Sequence, residues 1–159
     1  MTYEHHELCA ECGGKCCKQM PGEMSPGDVM RHFCCNSLLA AVTSALVSGR
    51  FAVDWWEGDP RTGCDELGRG YYIRARAKTD TGLMCPSWGG RCTFLRDDGC
   101  ELPPDLRPLT CRLLEPKEGD ACELHNGGGK NAAALLWLPH HDLILRAVRV
   151  AEDARDLSL

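Results

Sequence analysis

Apolar residues recur at helical spacing at Val29, Phe33, Leu38, Leu39, Val42 and Leu46, and Gly49 follows them as a stop. Ahead of them, Ser25-Pro26 has the form of an N-cap followed by proline at the first helical position, with Asp28 in the first turn. The pattern predicts one helix over about Pro26–Ser48, with Cys34-Cys35 inside it as buried structural thiols. Phe51–Trp56 and Tyr71–Ala77 are rich in aromatic and β-branched residues and flank the polar stretch GDPRTGCDELGRG, so they read as two short strands, candidates for pairing. Their aromatics, Trp55-Trp56 and Tyr71-Tyr72, then divide between a core face and a covering face.

Met20–Asp28 reads as a turn-rich connector, and Thr79–Pro116 is an irregular run punctuated by Gly, Pro and Cys. That run buries too little apolar surface to order itself and needs another means of support. NGGGK (Asn126–Lys130) is a flexible break; it lacks the earlier Gly and the following Ser/Thr of a phosphate-binding loop. Beyond it lies a helical extension over 131–156. Ala132–Leu138 forms a short helix or strand, Pro139 interrupts, and Leu143, Ile144, Ala147, Val148 and Ala151 mark an amphipathic helix. His140-His141, after the proline, reads as an exposed pair.

These elements predict an α+β fold, a small helix-rich single domain over 1–159 with a short β-hairpin or sheet. The net charge of −5, with no basic stripe, argues against nucleic acid as a partner. No run approaches the ~18 apolar residues of a membrane span. The start, MTYEHHEL, has no apolar signal region, and the expected location is cytoplasmic.

Twelve cysteines alter this picture of an ordinary domain. In a reducing cytosol such a load points to metal or redox chemistry over disulfides. Eight of them form two dense groups: Cys9, Cys12, Cys16 and Cys17 in CAECGGKCCK, and Cys85, Cys92, Cys100 and Cys111 in MCPSWGGRCTFLRDDGCELPPDLRPLTCR. The two-residue gap from Cys9 to Cys12 lets one tight turn aim two thiolates at an ion ~2.3 Å away. Adjacent Cα atoms such as those of Cys16 and Cys17 lie ~3.8 Å apart, below the usual disulfide range of ~4.4–6.8 Å. That pair fits ligation of different ions, bridging within a cluster, or a ligand beside a non-ligand. Lys15, Lys18, Arg91, Arg107 and Arg112 sit near enough in sequence to offset thiolate charge. Trp88 is placed to shield a metal from water, Cys122 and His125 have a ligand-like spacing, and Cys64 reads as a free thiol. Asp54, Asp65 and Glu66 read as ordinary loop or edge carboxylates.

CAECGGKCC, followed by C-T-F-L at Cys92–Leu95, Gly99-Cys100 and R-P-L-T-C-R at Arg107–Arg112, resembles the bacterial YkgJ-type cysteine-cluster family, a CxxCxxCC zinc- or iron-chelating domain. The matching elements bracket roughly two-thirds of the chain. The gap between Cys12 and Cys16 is three residues where the family has two, which bears on whether Cys16 or Cys17 ligates. The resemblance implies metal chelation by the halves 9–17 and 85–112 together. Some members are linked to flagellin lysine methylation, but no Gly-rich methyl-donor turn is found here and that activity is not carried over.

The expected function is a metal-binding protein whose clustered thiolates hold zinc, chiefly as structural support for binding or modifying a peptide or protein. An iron–sulfur cluster in a redox or peptide-modifying enzyme is the alternative, and metal storage or delivery a third reading. No catalytic triad can be placed from spacing, and the sequence does not decide whether the protein is an enzyme or whether it dimerises.

Overall fold

The computed structural model describes residues 21–62, 68–86, 90–97, 99–112, 114–116, 122–124 and 130–157. Helix α1, Pro26–Phe33, begins as the sequence predicts: the Asp28 amide donates to Ser25 Oγ (3.1 Å) and the Ser25 amide to Asp28 Oδ2 (2.9 Å), a reciprocal capping box. The helix then stops at Cys34, which adopts the left-handed conformation (φ 48°, ψ 39°) and donates its amide to the Met30 carbonyl. A second helix, α2, spans Leu38–Val47, with the Ser37 hydroxyl capping the Ala40 amide. The single helix expected over Pro26–Ser48 is therefore two. Ser37 just before Leu38-Leu39 was a legible cap signal, and the break lets Phe33 turn its ring edge-on to Phe51. Cys34-Cys35 lies in the break, with Cys34 exposed and Cys35 half-buried near Ser44, so neither is a buried helix thiol.

Strands β2 (Phe51–Glu57) and β3 (Arg69–Ala75) pair antiparallel, from Phe51 opposite Ala75 to Glu57 opposite Arg69. On the other side of β3 lies a two-residue strand, β1 (Glu23–Met24), giving the order β1-β3-β2. It falls inside the expected connector, where two residues between Pro21 and Pro26 carry no periodic signal. Along the free edge of β2, the Val53 amide donates to Leu83 and the Cys85 amide to Val53. The long irregular run contains a small ladder of β4 (Leu95–Arg96) with β5 (Gly99–Cys100) and a one-turn helix, α3 (Leu109–Arg112). A further hairpin joins β6 (Leu114–Pro116) to β7 (Cys122–Leu124).

Helix α4 (Lys130–Trp137) leads through a 3-10 turn at Leu138–His140, which contains Pro139, into α5 (His141–Leu157). In α5 the buried Ile144, Ala147, Val148 and Ala151 lie against α2, as the apolar spacing predicts. His140 and His141 are half-buried rather than exposed, with His141 against the Tyr71 ring and His140 against Trp137. One apolar core takes residues from Met24 to Ala151, confirming a small helix-rich α+β unit. Among the described residues no helix is long and apolar enough to cross a membrane.

The register separates the two sheet faces. Met24, Phe51, Val53, Ile73 and Ala75 share the face toward α1, α2 and α5. Glu23, Asp54, Tyr72 and Arg74 share the other, where α4 approaches so closely that a Cβ on Gly70 would come within 3.0 Å of Ala134.

Candidate metal centre

The four cysteines of the second group hang from different supports. Cys85 closes the β2 edge, and its carbonyl accepts from Arg74 Nη2 (2.7 Å). Cys92 bridges to Ala77 and is buried; burial pushes its thiol up to about 11, so it is protonated at neutral pH in the absence of a cation. Cys100 stands on β5 opposite Leu95, packs on the core and lies within electrostatic range of Cys92. Cys111 stands in α3, and its Sγ is only 2.3 Å from where a Cβ on Gly22 would sit. Glycine at 22 is thus required by the sulfur's close approach rather than by a turn.

Residues 108–112 are tied to the segment just after the first cysteine group. The Glu23 amide donates to Thr110 Oγ1 (2.8 Å), the Leu109 amide to Asp28 Oδ2 (2.9 Å), and Arg112 Nη2 to Asp28 Oδ1 (2.8 Å). Arg112 also donates to the Arg107 carbonyl, and the buried Arg107 donates from Nε to the Leu102 carbonyl (3.1 Å). Arg112, expected to offset thiolate charge, pairs with the Asp28 carboxylate.

Cys9, Cys12, Cys16 and Cys17 lie outside the described residues, as do Lys15, Lys18, Cys64, Asp65, Glu66, Trp88 and His125. Cys122 is placed on β7 by its backbone. Among the described residues no three His, Cys, Asp or Glu side chains converge as a metal-holding group. The structure seats Cys111 on Gly22, five residues after Cys17.

The polar sheet face holds a network that sequence reasoning missed. Arg74, almost fully buried, uses all five of its N–H donors. Nε donates to Asp54 Oδ2 (2.8 Å), Nη1 to the Ala75 carbonyl and Asp80 Oδ2 (2.7 Å), and Nη2 to Asp80 Oδ1 and the Cys85 carbonyl. Asp54, read as an ordinary carboxylate, has no exposed surface, and Lys130 Nζ approaches it at 3.6 Å. Burial acts to raise the pKa of Asp80, but hydrogen bonds from Arg74 and the Ala77 amide outweigh it and hold the carboxyl below its ordinary value. Glu23 is pushed the other way, chiefly by burial, against a lowering hydrogen bond from Thr110 and with Asp54 adding to the rise. A signal was available: Asp54 and Arg74 sit at alternation positions inside the strand runs FAVDWW and YYIRARA.

No protein-family model, no curated protein and no solved structure matches the chain.

Proposed function

We propose that this chain is a cytoplasmic metal-binding protein. Thiolates from Cys9, Cys12, Cys16 and Cys17 act together with Cys85, Cys92, Cys100 and Cys111 to hold zinc, which supports a surface for a peptide or protein partner. The observation that carries the reading is the seat of Cys111 on Gly22, at the base of the first cysteine group. Five peptide links separate Gly22 from Cys17, a reach of at most about 18 Å, so the chain length allows the last cysteine of one group to meet the last of the other.

The donor chemistry fits a thiophilic cation. Thiolate sulfur is a soft ligand suited to zinc, and a bound cation would offset the burial that opposes ionisation of Cys92. The run from Thr79 to Pro116, expected to bury too little apolar surface, in fact packs Leu83, Phe94, Leu95 and Leu102 into the core, so metal closure would add to that packing. The likeness of Cys9–Cys17 and Arg107–Arg112 to the YkgJ-type cysteine-cluster pattern points the same way.

Anaerobic purification with metal analysis per chain tests the proposal. Stoichiometric zinc in a colourless protein, reduced by Cys111→Ser and not by Cys64→Ser, is the expected result. A brown protein with iron and absorbance near ~400 nm selects the iron–sulfur alternative. Neither metal, with the eight cysteines paired as disulfides, sinks both.

A further inference from the structure

We infer that Asp28 is the positioning residue that holds Cys111 in register for the metal centre, an inference that rests on the metal-binding reading above. A capping box asks one carboxylate oxygen to accept one amide. Asp28, 3% exposed, accepts four donors: the Ser25 amide and the Leu109 amide at Oδ2, both 2.9 Å, and Arg112 Nη2 (2.8 Å) and Arg31 Nη1 (3.3 Å) at Oδ1. It therefore caps its own helix and also anchors both ends of α3, 81 and 84 residues further along the chain.

A single turn such as α3 has no stability of its own, because nucleating a helix fixes several residues for one hydrogen bond. The position of Cys111 is accordingly set by outside ties. These include Leu109 and Arg112 on Asp28, Thr110 against Glu23, and the sulfur on Gly22. Both termini of the turn share the Asp28 carboxylate, so its loss frees the turn to rotate about the Thr110 contact. Arg112 serves the site through this anchor, with its charge spent on Asp28.

The anchor can be separated from the helix cap. Asp28→Asn turns one oxygen into an NH2 group, which faces either the Ser25 and Leu109 amides or the Arg112 and Arg31 guanidinium groups donor to donor. Arg112→Gln breaks the second tie and leaves the capping box intact. Ser25→Ala removes the hydroxyl half of the cap and leaves both ties to α3.

The experiment is chelator competition with zinc, together with the thiolate-to-cobalt charge-transfer band of cobalt-loaded protein. Contacts that orient a metal ligand typically govern affinity by ~10–100-fold. Asp28→Asn and Arg112→Gln are expected to weaken zinc binding by about that factor and to reduce the charge-transfer intensity, while Ser25→Ala stays within about twofold. Wild-type protein that binds zinc while Asp28→Asn and Arg112→Gln match its affinity and spectrum overturns this inference alone. Equal weakening by Ser25→Ala also overturns it, since the effect would then follow helix stability. Wild-type protein that binds neither ion overturns the functional reading and this inference together.

Discussion

Replacing Arg74 with methionine removes the one group that neutralises Asp54 and Asp80 together and leaves their carboxylates behind. Asp54 is fully buried and Asp80 nearly so, and both accept hydrogen bonds from the guanidinium at 2.7–3.1 Å. Stripping one partner from a buried pair costs about 3–5 kcal/mol, because the remaining charge is uncompensated. Lys130 at 3.6 Å still offsets part of the Asp54 charge, which places the expected loss nearer ~3 kcal/mol. That is a large share of the ~5–15 kcal/mol by which a typical domain is stable.

Urea unfolding at one fixed metal content, followed through the buried Trp137, measures the loss. With a slope of ~2 kcal/mol per molar, the midpoint should fall by about 1.5 M. Arg74→Lys should lose much of the same stability, since one ammonium with three donors cannot span two carboxylates and two carbonyls. Adding Asp54→Asn to Arg74→Met should return at least ~1 kcal/mol by removing a stranded charge. A loss under ~1 kcal/mol in Arg74→Met, or no recovery in the double variant, would refute the reasoning.

Two further substitutions probe the neighbourhood of β1. Gly22→Ala puts a Cβ into Cys111 Sγ and within 2.9 Å of Pro108 Cβ, so about 1–3 kcal/mol of stability should be lost. Cys111→Ala on that background should return part of it, and an unchanged thermal midpoint in Gly22→Ala would contradict the close approach. Glu23 holds its proton in the folded state above the ordinary carboxyl range. Its contribution is therefore complete below the unfolded pKa, near 4.5, and is lost as pH rises through the raised folded value. Glu23→Gln should be more stable than wild type at pH 8 and show a flatter decline from pH 5, by about 1.4 kcal/mol per unit of pKa rise. Parallel pH profiles for the two proteins would rule this out.

The elements that were legible in the chain are those built from near neighbours. The Ser25-Pro26 start, the Gly49 stop, the aromatic strands and the apolar stripe of α5 each rest on residues within a few positions of one another. The break at Cys34 was marked by Ser37, but the apolar spacing ran on across it. β1 carried no mark, because two residues have no period and exist as a strand only where β3 offers an edge. Asp54 illustrates a different limit: its place within a strand run was visible, while its burial depended on Arg74, twenty residues away.

By itself the sequence determined the capped start of α1, the β2 and β3 runs and the apolar stripe of α5, and that eight cysteines fall in two groups separated by 67 residues. Only the tertiary structure decided that residues 109–112 dock on residues 22–28, that Arg112 belongs to Asp28, and that the charges of β2 and β3 face inward. The reason lies in the range of the forces. Helix period and capping act within a turn or two, whereas closing a loop costs only slightly more as it lengthens, so spacing along the chain barely restricts which distant groups meet. Their partners are chosen by the packing of the whole domain and by the high cost of a buried charge left alone.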